Sequence, residues 1–287
     1  MPSVVITGAS TGIGRATAEH LAGKGWTVFA GVRKDKDGEA LIEANAAIKP
    51  IILDVSKQDQ IEAAAETVAA ALGNEKLSGL VNNAGIADMG PLPIQKMDEI
   101  RWHFEVNVFG LIAMSQAFAP RLGLDESLDG TPGRIVNISS VGGRVAAPFL
   151  GAYTATKHAV ESITDSFRRE LMMFGIDAIC VGPGAIKTPI WDKDAERMEA
   201  DLYANSPWAE PIRLFSKVFR QTGEDGYPAS HVAEVIETAL THPKPKARYA
   251  PVPQKFRNFY LPTLLPKRLV DKGFARNFAM GPDTRKS

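Results

Sequence analysis

Tyr153 and Lys157 stand four residues apart in a stretch of helical periodicity, a spacing that places both side chains on one helix face. A phenol in water keeps its proton to about pH 10, and a neighbouring ammonium favours the phenolate and lowers that value. Such a pair suits proton transfer at an alcohol or carbonyl oxygen. A hydride leaving an alcohol carbon requires a base for the hydroxyl proton, and the reverse reaction requires an acid. Alone, the pair is a common surface pattern; its context makes it specific. Ser140 lies thirteen residues before Tyr153, just past an apolar run, where its hydroxyl can bond the same substrate oxygen. Ser139 competes for that role, and the spacing to the tyrosine favours Ser140. Asn107 sits in a long apolar helical stretch, where its propensity is poor; a polar duty or an irregular helix explains it better than packing. His103 and His158 have no second ligand at metal spacing, so they read as surface or supporting residues and no metal is expected. The one cysteine, Cys180, excludes an internal disulfide and a four-cysteine metal site, and reads as a buried strand residue.

A second constellation is the run Thr7-Gly8-Ala9-Ser10-Thr11-Gly12-Ile13-Gly14 between an apolar run and a helical one. Its glycines allow a tight turn and close approach of backbone to phosphate, and a helix N-terminus adds partial positive charge for a pyrophosphate. The candidate contacts are Gly8, Ser10, Thr11, Gly12, Ile13 and Gly14. The spacing G-x-x-x-G-x-G differs from the common G-x-G-x-x-G. The next apolar run ends Ala30-Gly31-Val32-Arg33. An acid at that strand end would bind the ribose 2′-OH of NAD; Val32 occupies the place, and Arg33 can pair with a 2′-phosphate. The expected cofactor is therefore NADP(H) in preference to NAD(H).

The elements that must position these residues alternate from residue 3 to about residue 182. Strand candidates are 3–7, 27–32, 50–53, 79–82, 134–138 and 177–181, each an apolar block of the kind buried on both faces of a parallel sheet. Helical stretches are 13–24, 58–72, 97–122 and 152–174. The order implies an α/β fold, a doubly wound parallel sheet of Rossmann type with helices on both faces. Residues 189–228 read as a small helical substrate lobe inserted into a single domain of 1–287, with one helix at 228–241 and a proline-dense C-terminal extension over 250–287 whose helices must be short.

Taken together, these segments resemble the short-chain dehydrogenase/reductase family, which carries T-G-x-x-x-G-x-G where Thr7, Gly8, Gly12 and Gly14 stand. The resemblance covers roughly residues 3–190 and implies several further roles. Asp54 and Val55 would border the adenine. Asn82, Ala84 and Gly85, in Asn82-Asn83-Ala84-Gly85, would support the sheet and border the cofactor. Pro183, Gly184, Ile186 and Thr188, in Pro183-Gly184-Ala185-Ile186-Lys187-Thr188, would grip the nicotinamide carboxamide. Asn107 would interrupt a helix and hold a water beside Lys157, completing a proton relay, and Tyr153 and Lys157 would also touch the cofactor. Gly182 departs from the pattern, because many relatives have Asn or Glu there.

Gly142-Gly143-Arg144-Val145 and Arg168-Arg169-Glu170-Leu171 look most like the retinol and hydroxysteroid dehydrogenase branch. That implies a secondary or allylic alcohol, or a ketone, on a bulky apolar skeleton of steroid, retinoid or aromatic kind. The lining is expected from 145–150 and from the lobe's Trp191, Met198, Leu202, Trp208, Leu214 and Phe215, which serve equally well as the lobe's own core. A ketoacyl or small-ketone reductase, and a non-catalytic NADP-sensing protein on the same fold, are the alternatives. With 33 basic and 33 acidic residues, nothing calls for nucleic acid. No run approaches a membrane-spanning length, and a cytoplasmic homodimer or homotetramer is expected. The segment 256–278 interleaves apolar residues with Lys and Arg; it is expected to pack over the substrate site or a neighbouring subunit, with a membrane surface as the other possibility.

Overall fold

The computed structural model describes residues 1–188 and 203–281. Six apolar runs form β1 (Ser3–Ile6), β2 (Thr27–Val32), β3 (Ile48–Ile52), β4 (Gly79–Asn82), β5 (Arg134–Ile138) and β6 (Asp177–Val181). With the two-residue β9 (Arg248–Tyr249) they make one parallel sheet in the order β3-β2-β1-β4-β5-β6-β9. A separate ribbon pairs β7 (Ile186–Lys187) with β8 (Tyr227–Pro228). The strand order reverses between β1 and β4, and the crevice beyond the carboxyl ends of strands at such a switch point is where ligands bind in these sheets.

Successive strand residues point to opposite faces, and here both faces are covered. Val4 and Ile6 of β1 pack with Ala18 and Leu21 of α1 (Gly12–Gly23), Leu41 of α2 (Asp35–Ala44) and Val232 and Ile236 of α8 (Ala229–Thr241). Val5 packs on the other face with Ile61 and Val68 of α3 (Gln58–Leu72) and Met114 and Phe118 of α5 (Gly110–Ala119). Each side chain of this kind that is fully buried stabilises the fold by about 1.5–3 kcal/mol, and the polar residues of these strands stand mostly at their ends. On the second face also lies α6 (Gly151–Glu170), the helix that carries Tyr153 and Lys157.

Four features depart from the sequence expectation. β3 begins two residues early and is an edge strand, with Ile52 43% exposed; Pro50 is tolerated there because an edge needs no second partner. The helix expected over 97–122 is broken into α4 (Met97–Phe104), a π-helical turn at Glu105–Phe109, α5, and a second π-helical turn at Pro120–Leu124. α2 was not foreseen: Gly38 in its middle lowers helix propensity, yet a side chain there would lie 2.8 Å from Pro50 Cβ, so packing selects glycine. β9 was hidden among prolines, and two residues carry no periodicity. The remaining helices are α7 (Ala209–Glu224), α9 (Leu261–Leu264) and α10 (Lys267–Asn277). Among the described residues no helix is long and apolar enough to cross a membrane.

Candidate active site

The glycine turn joins β1 to α1 at the switch point. Gly8 and Gly12 have φ of +64° and +58°, which L side chains rarely adopt. A Cβ on Gly14 would lie 2.3 Å from the Gly8 carbonyl oxygen and 2.5 Å from Asn83 Nδ2. No side chain caps α1, and its first turn holds no acid, so its N–H groups face a cradle suited to a pyrophosphate. The loop after β4 is laced to this turn. Thr7 Oγ1 accepts from the Asn83 and Ala84 backbone N–H at 3.0 and 2.9 Å, and Asn83 Nδ2 donates to the Thr7 and Gly8 carbonyls at 2.9 and 3.0 Å. Asn83 is thus a structural member of the cradle that sequence reasoning passed over in favour of its neighbour. Asn82 turns inward instead, donating to Ser115 Oγ and Asn137 Oδ1 at 3.0 and 2.9 Å.

Around the cradle stand the other expected cofactor residues. Thr188 lies across from Gly12, its Cγ2 3.3 Å from where a Cβ would be. The Pro183 carbonyl accepts from Val141 N–H at 2.8 Å, Gly184 N–H donates to Pro251 at 3.0 Å, and Ile186 enters β7. Asp54 Oδ1 accepts from the Ser56 backbone N–H and hydroxyl at 3.0 and 2.8 Å, a turn role. Val55 packs into the core with Met114. Arg33 is exposed just past β2, beyond Val32. A dinucleotide fits these residues: there is no room for side chains where its phosphates would approach, and the helix N–H groups are uncapped.

α6 presents Tyr153, Thr156 and Lys157 toward the crevice. Lys157 is buried; its Nζ donates to the Ile138 carbonyl at 2.9 Å and lies 5.7 Å from the centre of the Tyr153 ring. Burial pulls this ammonium down to about 8, against the nearby Glu161 carboxylate, which favours the charge. Asn107 sits in the π-helical turn. Its Oδ1 accepts from Ile86 N–H at 2.8 Å while its Nδ2 donates to the Ile86 carbonyl at 2.9 Å and to Thr156 Oγ1 at 3.0 Å. The extra residue of a π turn re-aims side chains at this point, and here it brings Asn107 against α6. A Cβ on Gly85 would meet Asn107 Oδ1 at 3.2 Å and Lys157 Nζ at 3.6 Å, so the two side chains share one small space.

The two serines separate. Ser139 is buried, its Oγ donating to the Lys157 carbonyl at 3.4 Å. Ser140 is half-buried, and its Oγ accepts from Gly142 N–H at 3.0 Å. A Cβ on Gly142 would lie 3.4 Å from both Ser140 Oγ and Tyr153 Cε1, which places that hydroxyl and the phenol ring at one spot.

Behind this spot is a charged cluster that sequence reasoning missed. Arg248 of β9 donates from Nε to Glu161 Oε1 and Oε2 at 3.1 and 2.9 Å, Arg144 donates to the same carboxylate at 3.1 Å, and Arg248 Nη2 reaches the Ser140 carbonyl at 3.4 Å. Despite burial, the hydrogen bonds and charge of the Arg248 guanidinium hold Glu161 below its ordinary value. A Cβ on Gly182 would fall 2.3 Å from Arg248 Nη2. The absence of a side chain at Gly182 therefore makes room for Arg248, and that departure was the only trace of the cluster in the sequence. Cys180 is buried beside it, its thiol pushed up to about 12 by desolvation. His103 is fully buried, not a surface residue: its Nε2 accepts from Asp88 N–H at 2.9 Å, so Nδ1 carries the proton toward the Glu99 carbonyl at 2.7 Å. His158 is exposed.

On the other side of Tyr153 the walls are apolar. Met89, Phe149, Leu150, Ile212, Phe215 and Phe278 form a buried cluster against which Tyr153, Tyr203, Trp208 and Leu214 pack. Phe149 has a φ of +62°, a conformation that costs of order 1 kcal/mol or more and persists only where packing imposes it; its ring meets Phe215 edge-on at 5.5 Å. Trp208, Leu214 and Phe215 thus serve the lobe's core and the wall near Tyr153 at once. Trp191, Met198 and Leu202 lie outside the described residues.

The family model described as short chain dehydrogenase matches residues 2–199. The chain is 34% identical over 278 residues to an NADPH-dependent 3-dehydrocapnine reductase from Ornithobacterium rhinotracheale, covering 96% of this chain and 97% of that protein. It is 32% identical to retinol dehydrogenase 16 of Mus musculus over 93% of this chain and 86% of that one. Its fold matches a short-chain dehydrogenase from Streptomyces avermitilis with a TM-score of 0.75 at 27% identity, over 98% of both chains. A short-chain dehydrogenase/reductase from Burkholderia phymatum in complex with NAD matches with a TM-score of 0.74 at 28% identity, over 91% of this chain and 92% of that one. With the cradle at the switch point and the tyrosine–lysine helix beside it, the chain belongs to the short-chain dehydrogenase/reductase family, close to its retinol dehydrogenase-like branch, and is an alcohol/carbonyl oxidoreductase.

Proposed function

We propose that this protein interconverts a secondary or allylic alcohol and the corresponding carbonyl on a bulky apolar skeleton, using NADP(H). The observation that carries this reading is the buried Lys157 ammonium 5.7 Å from the Tyr153 ring, beside Ser140 and the glycine cradle. Gly8, Ser10, Thr11, Gly12, Ile13 and Gly14 would hold the pyrophosphate, Arg33 a 2′-phosphate, and Thr188 with the 183–186 loop the nicotinamide end. When bound, the nicotinamide supplies or accepts the hydride. Ser140 holds the substrate oxygen by a hydrogen bond, and Tyr153 gives that oxygen a proton in reduction and takes it back in oxidation. The positive charge of Lys157 favours the phenolate, and Asn107 braces the helix turn beside it. The apolar wall of Phe149, Phe215 and Phe278 supports a bulky skeleton, as do the relatives named retinol dehydrogenase. A protein that only senses the cofactor has no use for an ammonium held out of water beside a phenol, which costs stability.

Replacing Tyr153 by Phe removes only the hydroxyl. Turnover of a bulky ketone is expected to fall about 10²–10⁴-fold, while NADPH binding measured by fluorescence persists. Turnover at the wild-type level would refute the assignment. The cofactor reading rests on Arg33 at the end of β2 and on the relative named as NADPH-dependent. Arg33→Ala is expected to lower kcat/KM with NADPH by roughly 10–100-fold, the value of one charge-assisted hydrogen bond, and to leave the value with NADH nearly unchanged. A wild-type preference for NADH would overturn it.

A further inference from the structure

The apolar residues of the C-terminal segment divide into two sets. Phe259, Phe274 and Phe278 turn inward, and Phe278 meets the Phe215 ring at 5.1 Å. Phe274 and Phe278 therefore already pack over the apolar wall, while Phe259 lies under the Arg248 guanidinium, 4.8 Å from it. Phe256 and Leu264 are 69% and 77% exposed, and Tyr260, Leu261, Leu265 and Leu269 are exposed with them. Among the described residues, exposed large apolar side chains are nowhere so dense along the chain. Water gains nothing from this face, and natural monomers rarely leave such a patch bare unless it meets something.

Charge identifies what it meets. Residues 255–277 hold Lys255, Arg257, Lys267, Arg268, Lys272 and Arg276 against the single acid Asp271, in a chain whose net charge is zero. Lys255 and Tyr260 also line a recess of about 330 Å³ with Arg144 and Arg248; among the described residues no acid lines it, and Glu161 pairs with Arg144 and Arg248. A second copy of the chain, brought up about a two-fold axis, would set this cationic face against itself. An anionic bilayer satisfies both halves of the pattern: the apolar side chains enter the acyl boundary, while the long basic ones keep their charges among the phosphates. We propose that residues 255–277 dock flat on an anionic lipid surface, with the recess facing the headgroup phosphates.

The test is sedimentation of the full chain with vesicles of phosphatidylcholine alone and with vesicles containing about one third phosphatidylglycerol. The protein is expected to pellet with the second and not the first, and to be released as salt rises from about 0.05 to about 0.5 M, where screening is short-ranged. Leu264→Glu with Leu269→Glu is expected to lower the partition coefficient at least tenfold. Lys267→Gln with Arg268→Gln, at exposed positions, is expected to lower it by roughly thirtyfold, the value of two charges at such a surface. Retained NADPH binding checks that each variant is folded. Absence of the wild type from anionic pellets, or pelleting of both variants equal to that of the wild type, would overturn the proposal. So would a wild-type oligomer that the leucine variants dissociate while vesicles never bind it, since a second copy would then own the face.

Discussion

A lysine in water holds its proton to about pH 10.4, whereas burial brings Lys157 to about 8. Below pH 8 the folded protein carries an ammonium that the unfolded chain would solvate, so this side chain costs stability there. Between about 8 and about 10.5 the folded lysine is neutral while the unfolded one is still protonated. The unfolded state then binds more protons, and the lysine's contribution to stability rises with pH. In urea melts at about pH 7.5 and about pH 9.5, the wild type is expected to gain relative to Lys157→Met over that interval. A constant difference between the two would show that Lys157 is not desolvated. The sequence made this residue visible through its spacing from Tyr153. It favoured Ser140 over Ser139 by spacing and resemblance alone, because adjacent hydroxyls past a strand look alike until the strand's register sends one under α6 and the other toward the crevice.

Elements show the same division between what pattern reveals and what contact decides. Five of the six longer strands were legible in full because they are buried on two faces and so read as largely apolar blocks, whereas the edge strand β3, half-exposed, was read two residues late. The π-helical turn at Glu105–Phe109 was legible only as one ill-placed asparagine. β9 was not legible at all: its two residues matter for what Arg248 does with Glu161 of α6 and the Ser140 carbonyl, contacts 87 and 108 residues away in sequence. Gly182 connects the two. Gly182→Ala would put a methyl 2.3 Å from Arg248 Nη2 and 2.9 Å from Cζ, forcing the guanidinium off its partners. An overpacking cost of roughly 1–3 kcal/mol is expected, read as a lowered urea midpoint. Turnover should fall more than NADPH affinity, because Arg248 touches the Ser140 loop and not the glycine cradle. Equal losses in both would show that the cluster does not act through Ser140.

At the scale of the molecule, the cofactor half and the substrate half are built from different stretches of chain. The cradle needs only β1, α1 and the loop after β4, all within the first 85 residues. The apolar wall needs Phe215 from α7 and Phe278 from beyond α10. Long-range closure is slow, since its entropy is lost before its contacts form. In refolding from denaturant, NADPH fluorescence is therefore expected to recover before turnover does; simultaneous recovery would mean the sheet and the tail fold as one unit.

The seating of Arg248 against the Ser140 carbonyl has a further bearing on how the protein is made. The arginine that steadies the serine's loop emerges from the ribosome more than a hundred residues after that serine. The segments of the glycine cradle are thus all synthesised long before the last part of the catalyst, and chemistry waits for translation to reach the closing segment.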